Sequence, residues 1–361
     1  MKNILLILVG GTICTTLNES GTLSVSDKAG VCLKEKFLKS DSVYTDKVKI
    51  HLTENLFILS ENMTINKWNL MINTYRKYVK EQKYDGIIFA HGTDTLAYSA
   101  ALFSMILSGT DIPVFFVSAN ERLESKRSNG NANFRYAVEC ICRGISPNVY
   151  VTYKNLSDNQ MYLHLASRLE QCKNYSEDFY SKGAMNITDI SEANFPEYFD
   201  KIKALYPAKK TQSFIHIFDD WNLSECILML MPYVGINYDA FDYSRFKAVL
   251  HGSFHSGTAC AETNADFKDC KENGILHMID KCAALEPVVD TYFSPSKLTG
   301  EIYETVDIIG RHTANKEKIR FLYGFTNETA YVKLLLAYSI FKNQEERLKF
   351  IETECNFEVI M

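Results

Sequence analysis

The N-terminal half of this chain alternates two patterns, and that alternation limits its possible folds more than any other feature. Ile4 to Val9, Gly86 to Ala90, Val114 to Ser118 and Val149 to Tyr153 are short apolar runs, mostly rich in β-branched or aromatic residues. Runs of that length and make-up suit strands covered on both faces of a sheet. Between them, Ile65 to Glu81, Thr95 to Ser108 and Asn131 to Ile141 carry apolar residues at three- and four-residue spacing, the period of a helix. Strand and helix in alternation build parallel sheets, so the first half reads as a doubly wound α/β domain.

A length of 361 residues exceeds what one hydrophobic core usually supports. From about Met185 to Thr211 the pattern loosens into polar and acidic residues with Pro196 and Pro207, and Ser213 to Ile217 resumes as a strand. The expectation is a larger N-terminal domain over 1–190 with a mostly parallel sheet, a linker over 191–212 and a smaller C-terminal α/β domain over 213–361. In the second half Cys226 to Met231, Ala248 to Leu250 and Val288 to Phe293 read as strands. Glu328 to Phe341 reads as an amphipathic closing helix and 342–349 as a solvated surface helix.

Composition narrows the function. Apolar residues make up 46% and charged residues 23%, as in ordinary globular chains. A net charge of -5 without a long basic run leaves no footprint for nucleic acid or an anionic membrane, so a small molecule is the expected partner. The ten cysteines are scattered, and their one close pair, Cys140 and Cys142, has neither zinc-site nor redox spacing. The six apolar residues from Ile4 to Val9 are too few for a signal-peptide core, and no small-residue cleavage site follows, which points to a cytoplasmic protein. Among eight histidines no pair joins a carboxylate at helical zinc spacing; His251 and His255, four apart, are more simply a strand-end residue and a loop residue. Neither a metal nor an organic cofactor is expected.

In open α/β sheets reactive groups gather past the carboxyl ends of the strands. The first strand is followed by Gly10-Gly11-Thr12-Ile13, where two glycines allow a sharp turn with a hydroxyl at its tip. Taken alone, that is an ordinary tight turn. The strand Gly86 to Ala90 is followed by His91-Gly92-Thr93-Asp94-Thr95, which sets a hydroxyl and a carboxylate at a helix N-terminus. Helix capping accounts for one such residue, but not for the whole run.

Together, these two motifs about eighty residues apart resemble the asparaginase/glutaminase family, whose nucleophile is a threonine. The resemblance extends through Ser60-Glu61-Asn62-Met63, Arg127-Ser128-Asn129-Gly130 with Asn133, Pro232-Tyr233-Val234-Gly235, Ser256-Gly257-Thr258 and Thr326 to Ser339, nearly the whole chain. It implies an amidohydrolase acting on the side-chain amide of L-asparagine or a related amide. Thr12 would attack the amide carbon, and Thr93 and Asp94 would serve proton transfer and hold the substrate. Ser60 would bind the α-carboxylate, Glu61 would help with the α-amino group, and N–H groups of the glycine turn and of Gly92 to Asp94 would stabilise the oxyanion. The family pattern also implies a homodimer or homotetramer, with sites completed across an interface.

Three positions depart from that pattern. A tyrosine in the loop after the nucleophile falls on Thr22, a lysine beside the Thr-Asp pair falls on Gln171, and an asparagine given by a neighbouring subunit falls on Thr258. Glutamine offers hydrogen bonds where lysine offers charge, so slower chemistry is expected. Lys173 or Arg168 are the alternative sources of charge, and Tyr44 or Tyr84 of the phenol. The departures leave a second reading open, an amino-acid-binding or sensing protein that has lost efficient turnover. A third is an amidohydrolase with a changed substrate, its pocket reshaped by Thr258 and His255.

Overall fold

The computed structural model describes residues 1–17, 23–26, 28–207, 222–260, 274–295 and 318–360. The first strand, β1 (Lys2–Leu8), is buried from Ile4 onward and organises the larger sheet. The chain continues through α1 (Lys28–Leu38), β2 (Val48–Leu52), α2 (Ile65–Glu81), β3 (Gly86–Ala90), α3 (Leu96–Ile106), β4 (Val114–Val117), α4 (Gly130–Arg143) and β5 (Val149–Lys154). It is completed by β6 (Met161–Leu165), β7 (Met185–Asn186) and α5 (Phe195–Leu205).

The strand order is β7-β6-β5-β4-β3-β1-β2. Parallel pairing runs from β2 to β5, and β6 and β7 add an antiparallel edge. Side-chain alternation sorts the strands into two cores. Ile88, Ala90, Phe115 and Val117 face the cluster that holds Leu33 and Phe37 of α1 with Phe134 and Val138 of α4. Phe89 and Phe116 point the other way, stacked 4.6 Å apart, with Tyr75 of α2 and Phe103 of α3 packed against Phe89. Helices therefore cover both faces, and the fold is the doubly wound α/β arrangement expected from the sequence.

The chain divides into two compact units, Met1–Asn222 with Cys355–Phe357, and Leu223–Glu354 with Glu358–Met361. Asn356 is bound within the first unit, its Nδ2 donating to Ser104 and Asn148 and its carbonyl accepting from Ser167 Oγ. Helix α5 lies inside the stretch 191–212 that reads as a linker. Pro196 stands in its first turn, where a missing N–H costs no helical bond, and Phe195 and Ile202 are buried with the first unit's core. The strand expected at Ser213 to Ile217 lies outside the described residues.

The second unit holds a four-stranded parallel sheet in the order β8 (Ile227–Leu230), β9 (Ala248–His251), β10 (Asp290–Phe293), β11 (Arg320–Phe321). With it go α6 (Ile275–Ala283), α7 (Asn327–Ile340) and α8 (Gln344–Glu352). No helix among the described residues is long and apolar enough to cross a membrane.

Helix α7 is buried nearly all round and carries a cation inside. Lys333, 1% exposed, is paired with Glu358, 0% exposed. Its ammonium also donates to Thr353 O at 2.6 Å and lies 5.5 Å from the ring centres of Phe325 and Phe350. Removing one member of such a pair strands the other charge without water. In urea unfolding, Glu358→Ala is expected to lose about 3–5 kcal/mol, whereas the double change Lys333→Met with Glu358→Leu recovers most of it. A single variant as stable as the parent would contradict a buried pair.

Candidate functional site

The strand order reverses beside β1: the chain passes to β2 on one side and then crosses to β3 on the other. At such a switch point in an open α/β sheet, ligands bind in a crevice past the carboxyl ends of the strands. The structure closes the floor of this crevice with three glycines. A Cβ on Gly10 would stand 2.1 Å from Ile58 O, one on Gly11 2.2 Å from Gly92 Cα, and one on Gly92 2.4 Å from Ser60 Oγ. The loops after β1, β2 and β3 thus touch backbone to backbone or nearly so. Gly11 also has φ +75, a conformation that side chains disfavour.

Thr12 follows that contact directly. It opens one tight helical turn, Thr12–Cys14, fixed by Cys14 N and Thr15 Oγ1 both donating to Gly11 O at 2.9 Å. Thr12 itself is partly exposed. Thr22 lies outside the described residues.

On the other side of the contact, Thr93 is partly exposed and Asp94 exposed. Helix α3 starts at Leu96 rather than Thr95, so both residues stand ahead of it. Ser60, 3% exposed, ties the second and third loops together. Its hydroxyl donates to Asp94 Oδ2 at 3.0 Å and accepts from Asp94 N at 3.3 Å, and its carbonyl accepts from Thr95 Oγ1 at 3.0 Å. Ser60 thus gives its one proton to the Asp94 carboxylate. Its neighbour Glu61 is exposed.

The sequence alone assigns His91 no separate role. Its ring is fully buried, with Nδ1 2.7 Å from Gly92 O. A carbonyl only accepts, so Nδ1 carries the proton, and Nε2 has no partner among the described residues. Burial pushes the imidazole pKa down to about 4, which keeps the ring neutral near pH 7. A histidine directly before a glycine at a strand end was the available signal. The same arrangement recurs in the second unit, where buried His251 sets Nδ1 2.6 Å from Gly252 O and Nε2 2.8 Å from Tyr238 OH.

Gln171 lies against Thr93: its Nε2 donates to Thr93 O at 2.8 Å, and its Oε1 accepts from Ala97 N at 3.3 Å. Of the alternative cations, Arg168 is engaged elsewhere. Arg168 donates to Phe357 O with its guanidinium over the Tyr206 ring, and Lys173 is exposed. Neither alternative phenol reaches the crevice, because Tyr44 precedes β2 and Tyr84 precedes β3, at the amino ends of the parallel strands. Tyr44 OH is bound to Glu192 there, and the ring of Tyr84 packs edge-on to His51.

Thr258 belongs to the second unit, where its carbonyl closes a turn by accepting from Phe254 N at 2.8 Å. His255 in that turn is exposed, while His251 is buried. Among the described residues no group of three or more His, Cys, Asp or Glu is arranged to hold a metal.

Residues 3–199, more than half the chain, match the asparaginase family, N-terminal domain. The chain belongs to the asparaginase family. A glutamyl-tRNA(Gln) amidotransferase subunit of Methanococcus maripaludis is 23% identical over 288 residues, 76% of this chain and 65% of that protein. The protein of the same name from Pyrococcus abyssi is 24% identical over 363 residues, 99% of this chain and 77% of its own. This chain thus spans just under two thirds of the length of the Methanococcus relative. Among solved structures, the thermostable L-asparaginase of Thermococcus kodakarensis superposes with a TM-score of 0.70 at 17% identity, over 99% of each chain. L-asparaginase I of Vibrio cholerae gives 0.69 at 19%, over 100% of this chain and 99% of its own. At these identities the likeness is one of fold, and amidohydrolase chemistry fits the family.

The close approach at the crevice floor is open to test. Gly92→Ala pushes a methyl into Ser60, an overpacking expected to remove about 1–3 kcal/mol of stability. Urea unfolding measures it, and an unchanged midpoint would show that the two loops do not meet as described.

Proposed function

We propose that this chain is an amidohydrolase that cleaves the side-chain amide of L-asparagine, or of a related amide, through the hydroxyl of Thr12. The observation that supports this reading is the contact of Gly11 with Gly92, which sets the loop carrying Thr12 against the loop carrying Thr93 and Asp94. In the proposed reaction the Thr12 oxygen attacks the amide carbon while its proton passes toward the amide nitrogen through Thr93 and Asp94. Ammonia leaves, and water then attacks the acyl-threonine ester to release the acid and restore the hydroxyl. Gly10 N–H is taken by Ala90 O and Asp94 N–H by Ser60 Oγ, so the N–H groups of Gly11, Gly92 and Thr93 are the candidates to stabilise the negative charge that develops on the carbonyl oxygen.

Asp94 takes the substrate's α-amino group, and Ser60 sets its carboxylate by the paired hydrogen bonds. Gln171 supplies a dipole where a cation would lower the cost of forming the alkoxide, so turnover is slow. We further propose a cytoplasmic homodimer or homotetramer that uses no metal or organic cofactor.

Two features favour other readings. The glutamyl-tRNA(Gln) amidotransferase relatives point to a different amide, and the neutral Gln171 beside Thr93 suits a protein that binds an amino acid without turning it over. Ammonia release from asparagine, glutamine and a panel of larger amides separates the first, and calorimetry with aspartate the second. Asparagine is expected to be hydrolysed, and Thr12→Ala to slow release by at least ~10³-fold with aspartate affinity nearly unchanged. Equal rates in parent and variant would remove Thr12 as the nucleophile; tight aspartate binding without any turnover would replace the enzyme by a sensor.

A further inference from the structure

Gln171 follows directly on a short two-stranded ribbon, Leu169–Glu170 against Tyr180–Ser181, and the chain leading into it is anchored twice. Leu169 is fully buried, and Ser167 just before it donates to Asn356 O at 2.7 Å. From that anchor the side chain reaches the first turn of α3. In an uninterrupted helix the N–H of residue 97 would bond to the carbonyl of residue 93. Here the carboxamide of Gln171 lies between the two, giving its N–H to Thr93 O and taking Ala97 N–H on its oxygen. Thr93 O also accepts Leu96 N–H at 3.3 Å, which closes a tighter turn, and the carboxamide, with the donor and acceptor of a peptide unit, gives Thr93 O a second donor and Ala97 N–H its acceptor. Thr95 correspondingly has φ -132, off the helical region, and the segment Thr93 to Thr95 stands ahead of α3.

We propose that Gln171 is a positioning residue whose carboxamide, by bridging Thr93 O and Ala97 N–H, holds the Thr93-Asp94 segment in its crevice conformation. This deepens the amidohydrolase reading and rests on it. What the position requires is one donor and one acceptor on the same planar group. An ammonium could satisfy only Thr93 O, a carboxylate only Ala97 N–H, and an aliphatic chain neither. A neutral carboxylic acid satisfies both, its O–H donating to Thr93 O and its carbonyl accepting from Ala97.

That equivalence supplies the test. In the full-length chain, kcat and KM for amide hydrolysis are measured from pH 5 to pH 8 for the parent, Gln171→Glu and Gln171→Leu. Gln171→Glu is expected to lose ~10²-fold in kcat at pH 8, the order of loss that a small misplacement brings, with a smaller change in KM. Its activity relative to the parent rises as pH falls and the new carboxyl gains its proton, whereas the deficit of Gln171→Leu is the same at every pH. A second readout does not depend on activity: in Gln171→Leu the Ala97 amide is expected to exchange its hydrogen at least ~10-fold faster than in the parent. A Gln171→Glu to parent ratio that is flat with pH, or unchanged exchange at Ala97, would overturn the proposal. A parent chain that hydrolyses no amide would instead overturn the amidohydrolase reading, and the exchange measurement would still decide the role of Gln171.

Discussion

At the switch point of the larger sheet two backbones touch, Gly11 against Gly92, and the rest of the site is built out from that contact. Neither residue admits a side chain: a Cβ on Gly11 would stand 2.2 Å from the Gly92 Cα, and one on Gly92 would run into Ser60. Close approach on this scale belongs to glycine alone, and it lets two loops from neighbouring parallel strands share one small volume. Thr12 is carried by one loop, Thr93 and Asp94 by the other. The third loop enters through Ile58 and Ser60, so the position of each reactive group is set by rigid strand ends rather than by long side chains.

The groups that support this crevice are mostly uncharged. His91 is locked as a neutral ring by burial and by its bond to Gly92 O. Ser60 fixes the carboxylate of Asp94 through one hydroxyl, and Gln171 fixes Thr93 through one amide. An arrangement of dipoles already aimed needs little reorganisation during a reaction, though each contributes less than a fixed charge would. In the proposed reaction that combination gives orientation at the expense of driving force for alkoxide formation.

How much of this could be read from the chain depended on what each residue's neighbours in sequence reveal. Long periodic segments were clear: Ile65 to Glu81 and Gly86 to Ala90 match α2 and β3 residue for residue. Strand β2, Val-Lys-Ile-His-Leu, was missed because an edge strand with polar alternate positions lacks the solid apolar run of its neighbours. Helix α1 is not legible because its apolar residues are not confined to one face: Ala29, Gly30, Leu33 and Phe37 are buried, whereas Val31 and Leu38 are exposed. Overlooking β2 had a consequence at the site, since it hid the fact that Tyr44 sits at the amino end of a strand. The two motifs themselves were readable because glycines before a hydroxyl carry local meaning. The hold of Ser60 on Asp94 and of Gln171 on Thr93 spans 34 and 78 residues, and no local pattern encodes it.

In the proposed reaction the Thr12 oxygen forms a covalent bond to the substrate's acyl carbon. Its most direct measurement is rapid acid quenching of the parent chain during turnover of asparagine, followed by proteolysis and mass spectrometry of the peptide that contains Thr12. A fraction of that peptide is expected to be heavier by one acyl group, on Thr12 and on no other residue, and none of it in Thr12→Ala. An acyl group found on a different side chain, or none at all while ammonia is released at an unchanged rate, would contradict it.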